Sequence, residues 1–424
     1  MEILNYVRQI KQLTEKDFFK STLIIGIGRI TATGLNAVFL IIVARLLTVE
    51  DYGYTRFALS MGALGAFIIT SGFPTALTRY LGKVRGDKDL QDSYFSNTFV
   101  VIIHLLIASL LVLYILNKLD LGILLVIIGI TVSSTYLAVI TGLILPKRIA
   151  IFSIGHSSVK IAFVILLFMV IGNLKSIDVL AVYCVAPILM LSILELFKPT
   201  KVRFKRNSLS GNVMKEMSIF ALPVILGTVG HTILTSIDII LIESFLGLRE
   251  VGIYSVAKTL TVVFTFVPQA FTTILMPKVA GFKKMEDIIK YFKPAILLTA
   301  AVSIGLVAGF YFFGDIAIKI LFGEKYLEAA NVLLIVSLGM TFSSISWILG
   351  GVWVGIGKPV ISAVAINIAA VINVIANLIL VPEIGIVGSA ISLVIANFIY
   401  LLILSIFTFF ISEKHLNLLY LYTS

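Results

Sequence analysis

The chain has 424 residues, of which 59% are hydrophobic and only 13% are charged, and its mean hydropathy is +1.09. This composition lies far outside the range of soluble domains and indicates an integral membrane protein. A net charge of +11 would also suit a nucleic-acid-binding protein. Here, however, the basic residues gather in connections between apolar runs, so we expect no nucleic-acid partner.

The apolar runs predict an all-α polytopic membrane protein with twelve transmembrane helices. Each run is long enough to cross the roughly 30 Å hydrocarbon layer, which takes about 20 helical residues. The runs leave almost no room for a soluble domain. In chain order, the predicted spans cover residues 21–47, 54–81, 93–116, 121–145, 149–172, 177–197, 216–246, 251–281, 290–313, 327–356, 359–381 and 385–411.

Lys and Arg residues are concentrated on one side of the predicted membrane. Most of them lie before the first span, in the connections after even-numbered spans, and after the last span. By the positive-inside rule, these segments and both termini are cytoplasmic. Residues 1–20 are polar and carry Ile3, Val7 and Ile10 at helical spacing, which predicts a cytoplasmic interfacial segment rather than a cleavable signal peptide. Residues 412–424 are predicted to form a cytoplasmic tail.

A basic, polar segment divides the chain into two sets of six spans. We predict an N-lobe of residues 21–197, a basic cytoplasmic linker of residues 198–215 and a C-lobe of residues 216–411. An offset of 199 residues aligns "LTVEDYGYTRFA" with "LGLREVGIYSVA" and pairs Gly53 with Gly252. This weak match indicates a parallel repeat, with two pseudo-symmetric six-helix lobes around a central cavity. Two unrelated helix starts with similar capping residues are the alternative interpretation.

The first predicted span carries a charged residue well inside the membrane. Arg29 lies about eight residues, or roughly 12 Å, from the cytoplasmic start of this helix. A charge at the centre of a span costs roughly 2.5–3.5 kcal/mol on insertion scales unless a counter-charge or water offsets it. We therefore expect the Arg29 face to be turned toward the bundle interior. Polar or small residues recur on this face at steps of three or four, namely Thr22, Gly26, Arg29, Thr33 and Asn36.

Two other spans carry similar polar faces, and a third contains a lysine. The residues concerned are Ser153, His156, Ser157 and Lys160 in the fifth span, Thr228, His231, Thr235 and Asp238 in the seventh, and Lys258 in the eighth. The two histidines are either hydrogen-bonded core residues or, with Thr33 and Asn36, part of a polar cavity lining.

Asp238 and Lys258 are predicted to lie at similar depths in the membrane. They form either a structural ion pair or a site at which Asp238 binds a coupling Na+ or H+. Arg29, Arg56 and Lys160 have fewer acidic partners within the spans, so positive charge is in surplus. A cationic cavity attracts an anion, and arginine matches phosphate oxygens bidentately.

Sequence motifs of enzymes are absent from the chain. The segment "GVWVGIGKP" lacks the Ser or Thr and the preceding strand of a phosphate-binding loop. No metal-ligand cluster or catalytic triad spacing is found either. We therefore expect a transporter rather than an enzyme, without a metal or a cofactor.

Several blocks, in the same order along nearly the whole chain, carry a family resemblance. They are "ARLLTVEDYGYTRFALS", "SGFPTALTRYLGK", "FLGLREVGIYSVAKTL", "ILFGEKYLEAANVLLIVSLG" and "IGKPVISAVAINIAAVINVIANLILVPEIGIVGSAIS". These blocks resemble the polysaccharide biosynthesis protein family, which includes O-antigen-type flippases of the multidrug/oligosaccharidyl-lipid/polysaccharide exporter superfamily.

The resemblance implies two lobes around a V-shaped cavity in the cell membrane. It also implies that a polyprenyl-linked oligosaccharide is moved by alternating access from the cytoplasmic to the outer leaflet, with a glycan polymerase or transferase as a further partner. In similar flippases, cationic residues of the first, second and eighth spans line the cavity. The matching positions are Arg29, Arg56 and Lys258, and helical spacing adds Lys160 as a fourth residue for the anionic head group.

Two other functions compete with a flippase. A Na+- or H+-coupled multidrug antiporter of the same superfamily would need a membrane-embedded acid in the N-lobe. The first six spans contain no deep Asp or Glu, since Glu195 lies at a helix end. A structural membrane protein is the third possibility, but it would not need buried cations.

Overall fold

The computed structural model describes the backbone of residues 2–84, 86–279 and 285–410, and the side chains within 20–84, 86–272 and 287–408. This part of the chain forms α-helices and short 3₁₀-helices, without a β-strand. Twelve of its segments are long and apolar enough to cross a membrane. The prediction of an all-α fold with twelve spans is therefore confirmed.

Each half of the chain contributes seven α-helices to the described structure. The N-terminal half contains α1 (Glu2–Leu46), α2 (Val49–Ser71), α3 (Phe73–Lys83), α4 (Lys88–Ile115), α5 (Leu121–Gly142), α6 (Pro146–Ile171) and α7 (Ser176–Phe197). The C-terminal half contains α8 (Gly211–Leu246), α9 (Leu248–Leu260), α10 (Phe266–Val279), α11 (Met285–Leu321), α12 (Ala330–Gly355), α13 (Pro359–Ile384) and α14 (Ile386–Phe410).

The second span of each half is built from two helices. Gly72 separates α2 from α3, and Pro74 lies in the first turn of α3. Backbone N–H groups in the first turn have no partner within the helix, so a proline there costs no helical hydrogen bond. In the other half, a 3₁₀ turn at Thr261–Thr265 separates α9 from α10. These two spans therefore contain breaks that the apolar runs alone did not predict.

The domain boundaries differ slightly from those predicted. Helix α7 ends at Phe197, as expected, but α8 begins at Gly211 rather than at residue 216. The predicted interfacial segment, residues 1–20, is helical from Glu2 and continues without a break into the first span. The predicted tail, residues 412–424, lies outside the described residues.

The two halves meet where α2 and α9 begin. We call this side of the membrane the far face, and the side that carries residues 198–210 the linker face. A Cβ atom added to Gly53 would lie 1.8 Å from the Leu248 carbonyl oxygen, and one added to Gly252 would lie 2.4 Å from the Val49 carbonyl oxygen. The two glycines that the repeat aligns therefore bring α2 and α9 into direct backbone contact.

Side chains from the C-terminal half also bind the end of α1 at the far face. The Tyr326 hydroxyl donates a hydrogen bond to the Ala44 carbonyl at 3.1 Å, and Lys325 donates to the Leu47 carbonyl. In the reverse direction, Arg45 donates to the Leu321 carbonyl at 2.7 Å. Carbonyl groups at helix ends lack intrahelical partners, so these bonds satisfy them and hold the far face closed.

At the linker face, the segment between the halves is bound to the start of α4. The buried Asp92 carboxylate accepts a hydrogen bond from the Arg203 backbone N–H at 2.9 Å and forms an ion pair with Lys205 at 2.9 Å. The Ser96 hydroxyl accepts a hydrogen bond from the Lys205 backbone N–H, and the Asn97 side-chain amide oxygen accepts one from the Ser210 backbone N–H. Hydrogen bonds to Asp92 and, to a smaller extent, to Asp89 raise the pKa of Lys205 above its usual value.

We expect Asp92→Ala to weaken the attachment of this linker. The variant removes the acceptor of the Arg203 N–H and the buried partner of Lys205, and the loss of a hydrogen bond to a charged group costs about 1.5–3 kcal/mol. Thermal unfolding of the purified protein in detergent measures the loss. Asp89→Ala is the matched control, because its side chain is 90% exposed and contacts the same lysine. Equal melting temperatures for the two variants would contradict the prediction.

Candidate functional site

The polar face of α1 is turned away from the lipid-facing side of that helix. The exposed apolar side chains of Ile27 and Val38 lie roughly 160° around the helix from Arg29 and Asn36, respectively, at 100° per residue. Gly28, on a third side, packs against Ala150 of α6. The predicted orientation of the stripe therefore agrees with the packing of α1.

Arg29 has an accessible side chain although protein atoms surround it. Such a combination is typical of a residue that lines a cavity inside a bundle. Within the described side chains, the Arg29 guanidinium forms neither a hydrogen bond nor an ion pair. Thr33, one turn along the same face, donates to the Arg29 carbonyl at 2.9 Å.

Arg56 extends the positive charge onto α2. Its side chain is half-buried, and its Nε atom is buried without a hydrogen-bond partner among the described residues. Helix α2, which carries Arg56, packs against α9 of the C-terminal half. Like Arg29, Arg56 has no carboxylate partner in the part of the chain that the structure describes.

Lys160 is enclosed within the N-terminal half. Its side chain is 3% exposed and donates a hydrogen bond to the Asn36 amide oxygen. The ammonium group also lies 4.5 Å from the centre of the Tyr183 ring and 5.3 Å from that of Phe39, within range of cation–π attraction. An anion would have to displace these protein groups to reach Lys160 in this conformation.

Lys258 and Asp238 lie together in the C-terminal half, as their predicted depths suggested. The Lys258 ammonium is 2.7 Å from one Asp238 carboxylate oxygen and 2.8 Å from the other. It also donates to the Thr235 carbonyl, while the Tyr254 hydroxyl donates to Asp238 at 3.0 Å. The Asp238 carboxylate is fully buried, and these groups occupy both of its oxygens.

Lys160 and Lys258 contact residues that lie at equivalent positions of the repeat. Asn36 and Phe39, which contact Lys160, are offset by 199 residues from Thr235 and Asp238, which contact Lys258. This relation was not predicted from the sequence, although the offset found at Gly53 implies it. Only the C-terminal half has a carboxylate at this position, so Lys160 has no acidic partner at the equivalent place.

The two predicted histidines differ in their surroundings. The His156 ring bonds through Nδ1 to the Phe152 carbonyl at 2.9 Å and lies 5.2 Å from the Phe152 ring, as a core histidine does. His231 is accessible on α8, together with Thr235, and its ring has no hydrogen bond to the described residues. His231 is therefore the better placed of the two for contact with a bound molecule.

Acidic residues do not assemble an ion site elsewhere in the described structure. No group of three His, Cys, Asp or Glu residues within it is suited to a metal ion. Glu195, at the end of α7, accepts hydrogen bonds from Arg148, from Tyr136 at 3.1 Å and from Thr200 at 2.9 Å. Its carboxylate is therefore already engaged by protein groups.

Comparison with known families identifies the chain. The family model described as "Polysaccharide biosynthesis protein" matches residues 18–283, which is more than half of the sequence. The chain belongs to the polysaccharide biosynthesis protein family. The chain also matches the MatE family model over residues 223–379. The resemblance noted in the sequence is thus confirmed.

Relatives of the chain occur in bacteria and archaea. It is 23% identical to the capsular polysaccharide biosynthesis protein CapF of Staphylococcus aureus, over 86% of this chain and 92% of that protein. It is 27% identical to the probable low-salt glycan biosynthesis flippase Agl15 of Haloferax volcanii, over 40% of this chain and 36% of that one. An uncharacterized membrane protein of Methanocaldococcus jannaschii is 31% identical, but the chain spans only 40% of its length.

Solved transporter structures share the fold of this chain. An inward-facing multidrug resistance MATE family transporter of the MOP superfamily superposes with a TM-score of 0.69 at 14% identity, covering 92% of this chain and 97% of that one. The lipid II flippase MurJ, in an inward closed conformation, gives 0.68 at 16% identity, covering 90% and 87%. At such identities the likeness establishes the fold alone.

Proposed function

We propose that this protein is a flippase that moves a polyprenyl-(pyro)phosphate-linked oligosaccharide from the cytoplasmic to the outer leaflet of the cell membrane. The transported lipid would serve the assembly of a cell-surface polysaccharide or of glycoprotein glycans. A glycan polymerase or transferase that uses the exported lipid is part of the same proposal. Similarity to the capsular polysaccharide biosynthesis protein CapF and to the probable low-salt glycan biosynthesis flippase Agl15 supports this class of substrate.

The observation that carries the proposal is the pair of arginines without acidic partners. Arg29 and Arg56 lie on the first two spans, and no described carboxylate pairs with either. A phosphate or diphosphate would supply the missing negative charge through bidentate, charge-assisted hydrogen bonds. A cationic drug would be repelled by the same two groups.

Lys160 and Lys258 have a secondary role in this proposal. Each ammonium group is already bound by protein groups, by Asn36 in one half and by Asp238 in the other. Lys160 has no acid beside it and is enclosed by Asn36, Phe39 and Tyr183. We therefore expect Arg29 and Arg56 to contact the phosphates directly in this conformation.

The closed far face supports a direction of entry. With α2 and α9 in contact there, a head group enters the cavity from the linker face, which the positive-inside rule makes cytoplasmic. The polyprenyl tail stays in the lipid while the polar group lies between the halves. Rocking of the halves about this site then exposes the head group at the far face.

A Na+- or H+-coupled multidrug antiporter is the second candidate. It would need an available membrane acid, and the two best-placed carboxylates are both occupied. Asp238 binds Lys258 and Tyr254, and Glu195 binds Arg148. A coupling ion at Asp238 would have to replace the Lys258 ammonium group, so coupling of flipping to Na+ or H+ stays a prediction.

Arg29→Ala tests the proposed function. We expect lipid flipping to fall about 10- to 100-fold, because a hydrogen bond to a charged group contributes about 1.5–3 kcal/mol and each 1.4 kcal/mol is a factor of ten. Each variant is expressed in a strain that lacks the protein, and the lipid-linked sugars are measured by mass spectrometry. A variant that cannot flip its substrate leaves the lipid-linked sugar to accumulate.

Arg249→Ala is the matched control for Arg29→Ala. It also removes one arginine, but Arg249 is exposed at the far face and pairs with Glu328. Full clearance of the lipid-linked sugar by the Arg29 variant would remove this residue from the mechanism. An unchanged lipid pool in the deletion strain, together with sensitivity to cationic drugs, would favour the antiporter.

A further inference from the structure

Helix α8 carries polar residues where its repeat partner α1 carries the head-group face. At the offset of 199 residues, Thr228 of α8 corresponds to Arg29, and Thr235 corresponds to Asn36. His231 lies between the two threonines on the same face. The C-terminal half therefore repeats the position of the polar stripe but not its positive charge.

This α8 face is accessible and turned toward the protein interior. His231 and Thr235 are exposed, whereas Leu226, which is 70% exposed, lies roughly 180° around the helix from Thr235. On either side of the face, Gly230 packs against the Asn367 backbone of α13, and Ile225 packs against Gly72. The face thus opens between two packed seams rather than onto lipid.

The hydrogen-bonding groups on this face are available and carry no unbalanced charge. The Thr228 and Thr235 hydroxyls each donate to a carbonyl of their own helix at 2.9 Å, which leaves their oxygen lone pairs as acceptors. The imidazole of His231 is free to bind within the described structure. Behind the face, Asp238 and Lys258 neutralise each other.

We propose that the α8 face of Thr228, His231 and Thr235 binds the hydroxyl groups of the sugars nearest the phosphate. This inference rests on the proposed function and adds an orientation to it: the phosphates lie toward the N-terminal half and the sugars toward the C-terminal half. Sugar hydroxyls both donate and accept hydrogen bonds, as these side chains do. A cationic ligand would lack an accessible carboxylate here, and a lipid tail would leave the polar groups unsatisfied.

Two probe lipids separate sugar recognition from phosphate recognition. The full-length protein in nanodiscs is titrated with undecaprenyl diphosphate and with undecaprenyl diphosphate that carries one N-acetylglucosamine. We expect His231→Ala to weaken binding of the glycosylated lipid about threefold to tenfold, which is the range for one or two hydrogen bonds, and to leave the bare lipid unchanged. Arg29→Ala should weaken both lipids by the same factor.

Two further variants keep the experiment decisive. Thr235→Val preserves side-chain shape and is expected to act as His231→Ala does, whereas Ser244→Ala removes an exposed hydroxyl farther along α8 and should change neither affinity. Equal effects of His231→Ala and Thr235→Val on both lipids, or no effect on either, would overturn the sugar site while leaving the flippase intact. Failure of the unmodified protein to bind either lipid would instead overturn the proposed function and the sugar site with it.

Discussion

Gly53→Val should prevent the two halves from closing at the far face. The added Cβ alone would lie 1.8 Å from the Leu248 carbonyl oxygen, and backbone atoms cannot yield as a flexible side chain can. Overpacking of this kind costs about 1–3 kcal/mol or more, which shifts the ratio of closed to open states about 5- to 150-fold. Transport should be lost because the cycle requires both states.

Accessibility from the far face measures this shift. A cysteine placed at Thr235, in a Cys184→Ser background, is treated with a membrane-impermeant maleimide from that side. We expect labelling to rise severalfold when Gly53→Val is added. Gly305→Val is the control, since no atom lies within 4 Å of a Cβ added there. Equal labelling with and without Gly53→Val would mean that this contact does not control closure.

Asp238→Ala should be strongly destabilising. The Asp238 side chain is fully buried and that of Lys258 is only 15% exposed, so the variant leaves an ammonium group in the membrane interior without its counter-charge. Removing one partner of a buried ion pair typically costs about 3–5 kcal/mol. The Tyr254 hydroxyl would lose its acceptor as well.

A double-mutant cycle separates the ion pair from the volume that the substitution removes. Asp238→Ala combined with Lys258→Met eliminates both charges, and its thermal stability in detergent should recover most of the loss. No recovery would show that the cost comes from packing. Where the double variant folds, its flipping rate with and without a Na+ or H+ gradient tests coupling at Asp238, because an unchanged gradient dependence would exclude that role.

Hydropathy and helical periodicity predicted the parts of this structure that depend on local sequence. The twelve spans follow from apolar length, and the orientation of the Arg29 stripe follows from its three- and four-residue steps. The proximity of Asp238 and Lys258 followed from their depths in consecutive spans. Each of these properties is set by one helix, or by two helices adjacent in the chain.

The contacts that sequence reasoning missed join segments far apart in the chain. Lys160 binds Asn36 across 124 residues, and Asp92 binds Arg203 across 111. The polar residues Asp92, Ser96 and Asn97 at the start of the third span were a usable signal, because buried polar groups need partners. Their binding partner could not be predicted, because a basic linker is ordinarily solvated and the sequence does not show which of its backbone N–H groups donate hydrogen bonds.

The bound linker leaves few unattached residues between the two halves. The Ser210 N–H is held by Asn97 of the N-terminal half, and α8 of the C-terminal half begins at the next residue, Gly211. At the linker face, therefore, no unattached residue separates the contact with the N-terminal half from the first helix of the C-terminal half. Pro223, inside α8, lies three turns beyond this contact and leaves one i→i−4 hydrogen bond unmade. The first three turns of α8, up to this proline, thus begin directly at the attached end of the linker.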